Sequence, residues 1–407
     1  MSAATAAAPY FDDAIAKRNA LILAVALTLS SCSAIIVFTT AGIVGTMLSP
    51  INSLITLPVS TFVIGTALAT IPASLMMGKL GRKPGFMLGA VLAFCGSLLA
   101  IYALYEKDFI LFCLATGLLG SYMAFSQYYR FAAADRATED FRAKAISWVL
   151  VGGIGGAIFG PMLVIYSRAA LSPVMFVGTF VVAAVLALCA LALVSLINIP
   201  LVPKTTDDQP TRPMPTILKN PRLVVAIVTG MVSYGVMSLL MTATPIAMVG
   251  HGFSVDDAAW VIQWHSLAMF GPSFFTGHLI ARYGVERIIF AGLVLLVTAA
   301  LTGLAGMTFG HFSVGLILLG LGWNFGFIGA TTMVTECYQL AEKSKVQAFN
   351  DFAIFATVAV ASLTSGKLFS TVGWDAVNLG LFPMVGVAAI ALIWLFFHLR
   401  NNPKHTP

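Results

Sequence analysis

The chain has 407 residues, of which 59% are hydrophobic and only 9% are charged, and its formal net charge is +6. Its mean hydropathy is +0.95. A soluble domain of ordinary composition carries about 25% charged residues, so this composition excludes a soluble enzyme and predicts a multi-pass membrane protein. The basic residues cluster at the ends of apolar segments, so the positive charge reflects membrane topology and does not indicate a nucleic-acid partner.

Long apolar segments follow one another along the whole chain, separated by short polar turns. A helix needs about 20 apolar residues to cross the hydrocarbon core of a bilayer. The sequence therefore predicts an all-α membrane protein with twelve transmembrane helices. The predicted spans are 20–46, 54–77, 86–105, 109–131, 145–167, 173–198, 222–248, 257–281, 287–308, 312–335, 347–368 and 376–398.

The distribution of Lys and Arg predicts the orientation. With an even number of spans, both termini lie on the same side of the membrane. Of the 22 Lys and Arg residues, 19 fall on the side of the termini, and the other side has Lys107, Arg168 and Lys367. Because cytoplasmic loops carry the excess of basic residues, the prediction is that the N-terminus and the C-terminus are both cytoplasmic.

A short internal repeat predicts the division of the chain. The pattern G-x-L-x-x-[KR]-x-G occurs from Gly78 to Gly85 and again from Gly277 to Gly284, 199 residues later. The prediction is an N-terminal six-helix half at 1–199, a cytoplasmic linker at 200–220, and a C-terminal six-helix half with its tail at 221–407. Transporters built from paired repeats place the substrate site near the bilayer midplane, between the halves.

These two loops resemble the signature loop of the major facilitator superfamily, which has glycines at this spacing after its second span. The superfamily usually has an Asp where this chain has Arg82 and, in the second copy, Ala281. The segment from Gly152 to Pro161 resembles the superfamily's GxxxGP element. The resemblance implies a major facilitator fold of two six-helix halves, transport by alternating access, and no enzymatic activity.

Four side chains in predicted spans seven and eight suggest a metal site. Met237 and Met241 are four residues apart, as are His265 and Met269, so each pair lies on one face of its helix. In an antiparallel hairpin, Met241 and His265 share one depth, and Met237 and Met269 share another. Thioethers with one imidazole favour Cu(I), so the pattern predicts a two-level copper site. Apolar packing of methionine is the alternative explanation.

The two motifs, MxxxM and HxxxM, resemble those of the CcoA-like copper importers of alphaproteobacteria. The resemblance implies a bacterial inner-membrane importer that supplies copper for biogenesis of cbb3-type cytochrome c oxidase. Copper is then the transported substrate, and no organic cofactor is expected. The expected partners are the lipid bilayer and copper chaperones of oxidase assembly. The residues that the resemblance assigns as metal ligands are Met237, Met241, His265 and Met269.

Two alternatives remain open. A related branch of the same group is associated with riboflavin uptake, so the second hypothesis is a transporter of a small organic molecule, riboflavin-like or a drug. Its cavity would be lined by Trp260, Trp264, Trp323, Asn324 and Phe325. The third hypothesis is a non-transporting membrane sensor or assembly factor, because no carboxylate stands out at the middle of a span as a coupling group.

Overall fold

The computed structural model describes residues 12–199, 212–339 and 342–401. Within these ranges the regular structure is helical throughout. Eleven of the described helical segments are long and apolar enough to cross a membrane. The prediction of an all-α membrane protein is therefore confirmed.

The predicted N-terminal half contains six spans. The fourth span is formed by two consecutive helices, α4 and α5, and one short 3-10 turn at Asn52–Leu54 precedes the second span. In chain order the helices are α1 (Asp13–Leu48), α2 (Leu57–Leu80), α3 (Arg82–Glu106), α4 (Phe109–Ser126), α5 (Tyr129–Ala134), α6 (Glu139–Ser167) and α7 (Val177–Ser195).

The predicted linker and C-terminal half contain the remaining helices. The last span is formed by α15 and α16 together, and residues 200–211 of the predicted linker lie outside the described residues. The helices are α8 (Met214–Ile217), α9 (Pro221–Gly250), α10 (Val255–Phe270), α11 (Ser273–Tyr283), α12 (Val285–Ala305), α13 (Phe309–Thr335), α14 (Lys343–Thr371), α15 (Trp374–Leu379) and α16 (Leu381–Asn401).

The predicted span at 257–281 is broken into α10 and α11. The break falls at Gly271 and Pro272. Proline has no backbone N–H, and its ring clashes with the carbonyl group four residues earlier, so it ends or kinks a helix. With 16 and 11 residues, α10 and α11 are each too short to cross a bilayer alone. This break explains why the described ranges contain eleven continuous spans instead of the predicted twelve.

The two ends of the helix bundle are named here by what they carry. The linker side carries α8, the turn between α2 and α3, and the turn between α11 and α12. The far side carries the end of α1 and the end of α9. It also carries Lys107 and Arg168, two of the three basic residues that the sequence places on the side opposite to the termini.

The glycine repeat forms two tight turns on the linker side, but not at the positions that the sequence pattern paired. Gly81, with φ of 97°, separates α2 from α3, and Gly284, with φ of 88°, separates α11 from α12. These positive φ values favour glycine. The sequence pattern had paired Gly85 with Gly284. In the structure Gly81 takes the place equivalent to Gly284, four residues or about one helical turn earlier. Arg82, which the sequence pattern placed at the position of the superfamily's Asp, forms an ion pair with Asp135 at 3.0 Å.

The glycine-rich segment of α6 packs directly against α1. A Cβ atom on Gly152 would lie 2.2 Å from the carbonyl oxygen of Ala24, and one on Gly156 would lie 2.2 Å from the Cβ of Ser31. Such distances leave no room for a side chain. Close helix approach is therefore the structural role of these glycines.

Polar contacts between the two predicted halves close the far side. The Arg168 guanidinium donates two hydrogen bonds to the Asp256 carboxylate, at 2.6 and 2.8 Å. The hydroxyl groups of Thr56 and Ser60 reach Ser362, at 3.1 Å to its carbonyl oxygen and 2.9 Å to its hydroxyl oxygen. These contacts join α2 and the end of α6 to α14 and the start of α10. The structure is therefore closed at the far side.

On the linker side, two groups of described ion pairs stay within one half. Arg82 pairs with Asp135 in the N-terminal half. Arg222 pairs with Glu286 and Glu336 in the C-terminal half. None of these three pairs joins one half to the other.

Candidate functional site

The four predicted metal ligands are all buried. The exposed fractions are 4% for Met237, 5% for Met241, 0% for His265 and 6% for Met269. The three methionines belong to one apolar cluster, which packs α9 against neighbouring helices of the C-terminal half. Their surroundings are therefore those of a packed core, in which methionine commonly fills irregular space.

The His265 ring is held in one orientation by α13. Its Nδ1 atom lies 2.8 Å from the carbonyl oxygen of Leu316. A carbonyl oxygen only accepts, so Nδ1 carries the proton and donates it. The other ring nitrogen, Nε2, is then an acceptor, and it is buried with no hydrogen-bond partner in the structure. The imidazole thus joins α10 to α13 and keeps one nitrogen lone pair unused.

The assignment of Met237, Met241, His265 and Met269 as metal ligands stays a prediction. Among the described residues, no group of three or more His, Cys, Asp or Glu side chains is arranged to hold a metal ion. Three of the four side chains lie in an apolar cluster, and the fourth bonds a backbone carbonyl through Nδ1 and has an unpaired Nε2.

Five aromatic rings meet at the middle of the C-terminal half and are called here the central aromatic cluster. The rings of Trp323 and Phe327 stack with centroids 4.8 Å apart. The Tyr234 ring packs edge-on against both, at 5.4 and 5.2 Å, and lies 6.0 Å from Phe355. Phe270 packs edge-on against Trp323 at 6.1 Å. The cluster thus draws on α9, α10, α13 and α14.

The central aromatic cluster lies near the middle of its helices and is partly accessible. Tyr234 is near the midpoint of the 30-residue α9, and Trp323 is near that of the 27-residue α13. Trp323 is buried and its Nε1 has no hydrogen-bond partner in the structure, whereas the other four rings are half-buried. From the N-terminal half, Gly153 faces Phe270, since its Cβ would lie 3.7 Å from that ring. Aromatic rings with one free N–H suit a flat aromatic ligand with polar edges.

Of the aromatic residues predicted to line a cavity, only Trp323 belongs to this cluster. Trp260 and Trp264 are 40% and 52% exposed, and they lie on the face of α10 opposite to its buried residues. Phe325 packs against α12, where its Cβ would lie 3.1 Å from a Cβ on Gly292. These three side chains do not contribute to the cluster.

Asn324 holds the broken eighth span together. Its Nδ2 atom donates to the carbonyl oxygen of Met269 at 2.6 Å and to the hydroxyl oxygen of Ser273 at 2.8 Å. Its Oδ1 atom accepts a hydrogen bond from the Thr276 hydroxyl at 2.6 Å. The broken helix leaves backbone carbonyls without their usual partners near Pro272, and Asn324 supplies one. Its role is therefore structural.

Sequence reasoning missed four members of the central aromatic cluster, which are Tyr234, Phe270, Phe327 and Phe355. One signal was available, because Phe327 follows Trp323 by four residues and so lies on the same face of α13. The other three rings are on different helices, and only packing brings them together.

Comparison with known proteins identifies the family. The Major Facilitator Superfamily model matches residues 21–242 and 225–407. The chain belongs to the major facilitator superfamily. It is a membrane transporter and not an enzyme. The crystal structure of the nucleoside transporter NupG superposes with a TM-score of 0.72 at 15% identity, covering 93% of this chain and 100% of that one. At this identity the likeness shows the fold alone, and it confirms the predicted major facilitator fold.

Three relatives match this chain over most of its length. The riboflavin transporter RfnT of Brucella anthropi is 47% identical over 395 residues, covering 97% of this chain and 98% of that protein. The uncharacterized transporter YdeG of Bacillus subtilis is 28% identical, covering 83% of this chain and 81% of its own. YddS of the same organism, also uncharacterized, is 25% identical, covering 85% and 83%.

The prediction of copper import is wrong. A relative with 47% identity across nearly the whole of both chains is named as a riboflavin transporter, not as a copper importer of the CcoA type. Three predictions that depended on it are therefore also wrong: copper as the transported substrate, copper chaperones as partners, and copper supply to cbb3-type cytochrome oxidase. The physical reason lies in the motifs: four-residue spacing places two side chains on one helix face, but the same spacing serves core packing. The lipid bilayer remains as a partner of this membrane transporter.

Proposed function

We propose that this chain transports riboflavin, or a flavin closely related to it, by alternating access across a bacterial inner membrane. The observation that carries the proposal is the 47% identity to the riboflavin transporter RfnT over 97% of this chain. Neither protein has a large region outside the match, so the similarity includes every span that lines the interface between the halves.

The chemistry of the central aromatic cluster supports this substrate class. The isoalloxazine ring of riboflavin is flat and uncharged at neutral pH, and its edges carry hydrogen-bonding atoms. Stacking on an aromatic side chain contributes about 0.5–1.5 kcal/mol beyond the burial of area. The stacked pair of Trp323 and Phe327 offers such a face, Tyr234 offers an edge, and the unpaired Nε1 of Trp323 offers a donor.

The transport cycle follows from the arrangement of the two proposed halves, 1–199 and 221–407, joined by the linker at 200–220. The far side is closed by the ion pair of Arg168 with Asp256 and by the hydroxyl contacts to Ser362. The linker side carries 19 of the 22 basic residues and is assigned to the cytoplasm, with both termini. Uptake then requires the far-side contacts to break, the substrate to bind between the halves, and release to occur at the linker side.

The four residues first considered as metal ligands take a smaller part in this proposal. Met269 directly precedes Phe270, and Met237 follows Tyr234 by three residues on α9, so both lie beside the central aromatic cluster. Their polarizable thioethers contribute apolar wall to the flavin site. Replacing either by leucine conserves volume, a change that usually costs less than about 1.5 kcal/mol.

The test is uptake of labelled riboflavin by cells of a riboflavin auxotroph that express the chain. We expect the chain to raise uptake, and we expect Trp323→Leu to lower it by roughly tenfold, the loss of about 1.4 kcal/mol of stacking. Trp264→Leu is the matched control, because that indole is 52% exposed and outside the cluster. Met237→Leu should stay close to the parent protein.

The amount of protein in the membrane is measured for each variant, so that lost uptake is not confused with lost insertion. Absence of riboflavin uptake by the unmodified chain would refute the proposed substrate. Equal uptake by the Trp323→Leu and Trp264→Leu variants would refute the role of the central aromatic cluster while leaving the substrate in place.

A further inference from the structure

Among the described residues, the buried polar side chains between the predicted halves include three whose oxygen atom has no hydrogen-bond partner. These atoms are Thr39 Oγ1, Thr242 Oγ1 and Gln263 Oε1. Their residues are 0%, 1% and 7% exposed. A buried polar atom left unpaired costs about 1–3 kcal/mol, and few such atoms occur in native proteins. Each of the three therefore calls for a physical explanation.

The three residues lie at similar distances from the far-side ends of their helices. Thr39 is nine residues before the end of α1 at Leu48, and Thr242 is eight before the end of α9 at Gly250. Gln263 is eight residues after the start of α10. At 1.5 Å per residue, all three are roughly 12–14 Å below the far-side ends of their helices. They are called here the polar layer.

The helices of the polar layer meet at the junction between the halves. A Cβ on Gly42, one turn from Thr39, would lie 3.0 Å from the side chain of Ile246 and 3.8 Å from the carbonyl oxygen of Thr242. Helix α1 therefore lies directly on α9 at this level. The Gln263 Nε2 atom donates to the carbonyl oxygen of Ile158 on α6 at 3.3 Å. The polar layer thus spans the contact between the N-terminal and C-terminal halves.

The central aromatic cluster lies just beneath the polar layer, on the linker side of it. Trp323 is 14 residues from the far-side end of α13 at Phe309, and Tyr234 is 16 residues from that of α9 at Gly250. These positions are roughly 21–24 Å from the far-side ends of their helices, about 7–12 Å deeper than the polar layer. A ligand whose ring lies in the cluster can reach the polar layer with a side chain of about this length.

We propose that Thr39, Thr242 and Gln263 bind the hydroxylated chain of the transported flavin while its ring lies at the central aromatic cluster. The inference rests on the proposed function and names the part of the substrate that each level recognises. A polyol chain has several hydroxyl groups, each able to donate and to accept, so it can satisfy three unpaired oxygen atoms at one level. The layer then selects flavins that carry such a chain over flavins with the same ring alone.

This selectivity has a physical basis in the unpaired atoms. A site built to hydrogen-bond a hydroxyl group discriminates strongly against an analogue that lacks it, because the buried polar groups of the site then stay unpaired. A net hydrogen bond contributes about 0.5–1.5 kcal/mol, which corresponds to roughly twofold to tenfold in affinity.

The test compares riboflavin with lumiflavin, which has the same ring but a methyl group in place of the ribityl chain. Binding to the purified full-length protein is measured by quenching of flavin fluorescence, and uptake by the auxotroph is measured in parallel. We expect Thr39→Val, Thr242→Val and Gln263→Leu each to weaken riboflavin binding about twofold to tenfold. Lumiflavin binding should stay unchanged in all three.

The chain offers matched controls for both threonines. Thr40 and Thr244 are 0% exposed, like their neighbours, but their hydroxyl groups bond the carbonyl oxygens of Ile36 and Leu240 in their own helices. Thr40→Val and Thr244→Val should therefore leave the affinities for riboflavin and for lumiflavin unchanged. Thr39→Ser keeps the hydroxyl group and should bind riboflavin normally, which tests the inference even where the valine variant does not insert.

The outcomes separate the inference from the proposed function. If the unmodified chain neither binds nor imports riboflavin, the proposed function fails. If it imports riboflavin but Thr39→Val and Thr242→Val behave like the two control variants, the polar layer is not the polyol subsite. An equal loss for riboflavin and lumiflavin in the polar-layer variants would also overturn the inference, because it would show a general effect on packing.

Discussion

The ion pair of Arg168 with Asp256 gives a quantitative prediction about the far-side gate. It joins the end of α6 to the first turn of α10, with nitrogen–oxygen distances of 2.6 and 2.8 Å. The two side chains are 24% and 34% exposed, so solvent screens the pair. Exposed ion pairs contribute about 0.2–1 kcal/mol, and bidentate geometry places this one near the upper end of that range.

Arg168→Gln removes the charge and leaves a side chain of moderate length. The pair exists only while the far side is closed, so its loss destabilises that state alone. A loss of about 1 kcal/mol shifts the equilibrium about fivefold toward the state open at the far side. A roughly fivefold shift in the absence of ligand is large enough to measure as a change in the labelling rate of a buried position.

The assay labels a cysteine at position 246 with a membrane-impermeant maleimide added at the far side. Ile246 is 5% exposed and packs beside Gly42, where α1 meets α9. The five native cysteines are replaced first, because Cys95 and Cys189 are exposed. We expect the initial labelling rate of Ile246→Cys to rise about fivefold when Arg168→Gln is added.

Lys107→Gln is the matched control, because Lys107 caps α3 on the far side within one half. It should leave the labelling rate unchanged. Exchanging the charges, by combining Arg168→Asp with Asp256→Arg, should return the rate toward that of the parent. An unchanged rate in Arg168→Gln, or the same increase in Lys107→Gln, would refute the assignment of this pair as a gate.

Two further predictions concern stability. Asn324→Leu removes the partner of the Met269 carbonyl and one of the two acceptors of the Thr276 hydroxyl, which keeps the Pro272 carbonyl. Thermal unfolding in detergent should therefore show a loss of about 1–3 kcal/mol; a loss below about 0.5 kcal/mol would contradict the bridging role. On the linker side, hydrogen bonds from Arg212 lower the pKa of Glu342 from 4.5 to about 2, so the pair stabilises the fold above pH 4.5 and this contribution is lost as the pH falls toward 2. Between pH 5 and pH 2 the melting temperature of Glu342→Gln should therefore fall less than that of the parent protein. Equal decreases in the two melting temperatures would contradict this role of the pair.

The sequence by itself determined the class of protein, its helical content and the approximate position of its spans. The reason is local: inside a bilayer each backbone polar group must be paired within its own helix, so an apolar run of sufficient length can only be a spanning helix. It also predicted that most basic residues lie on one side, because the order of the spans alone assigns each loop to a side of the membrane.

Tertiary structure decided which proline breaks a span. Pro72, Pro161 and Pro245 lie inside continuous helices, whereas Pro272 separates α10 from α11. Each of these residues lacks an N–H, so the sequence treats them alike. At Pro272 the neighbouring α13 supplies Asn324, which pairs with backbone and side chains on both parts of the broken span.

Tertiary structure also decided which side chains the candidate site brings together. Four-residue spacing placed Met237 with Met241 and His265 with Met269 on shared helix faces, but spacing does not tell which neighbour a face meets. Those faces meet an apolar core and the carbonyl group of Leu316. The central aromatic cluster and the polar layer gather single residues from several helices, and residues that far apart in the chain come together only through the packing of one helix on another.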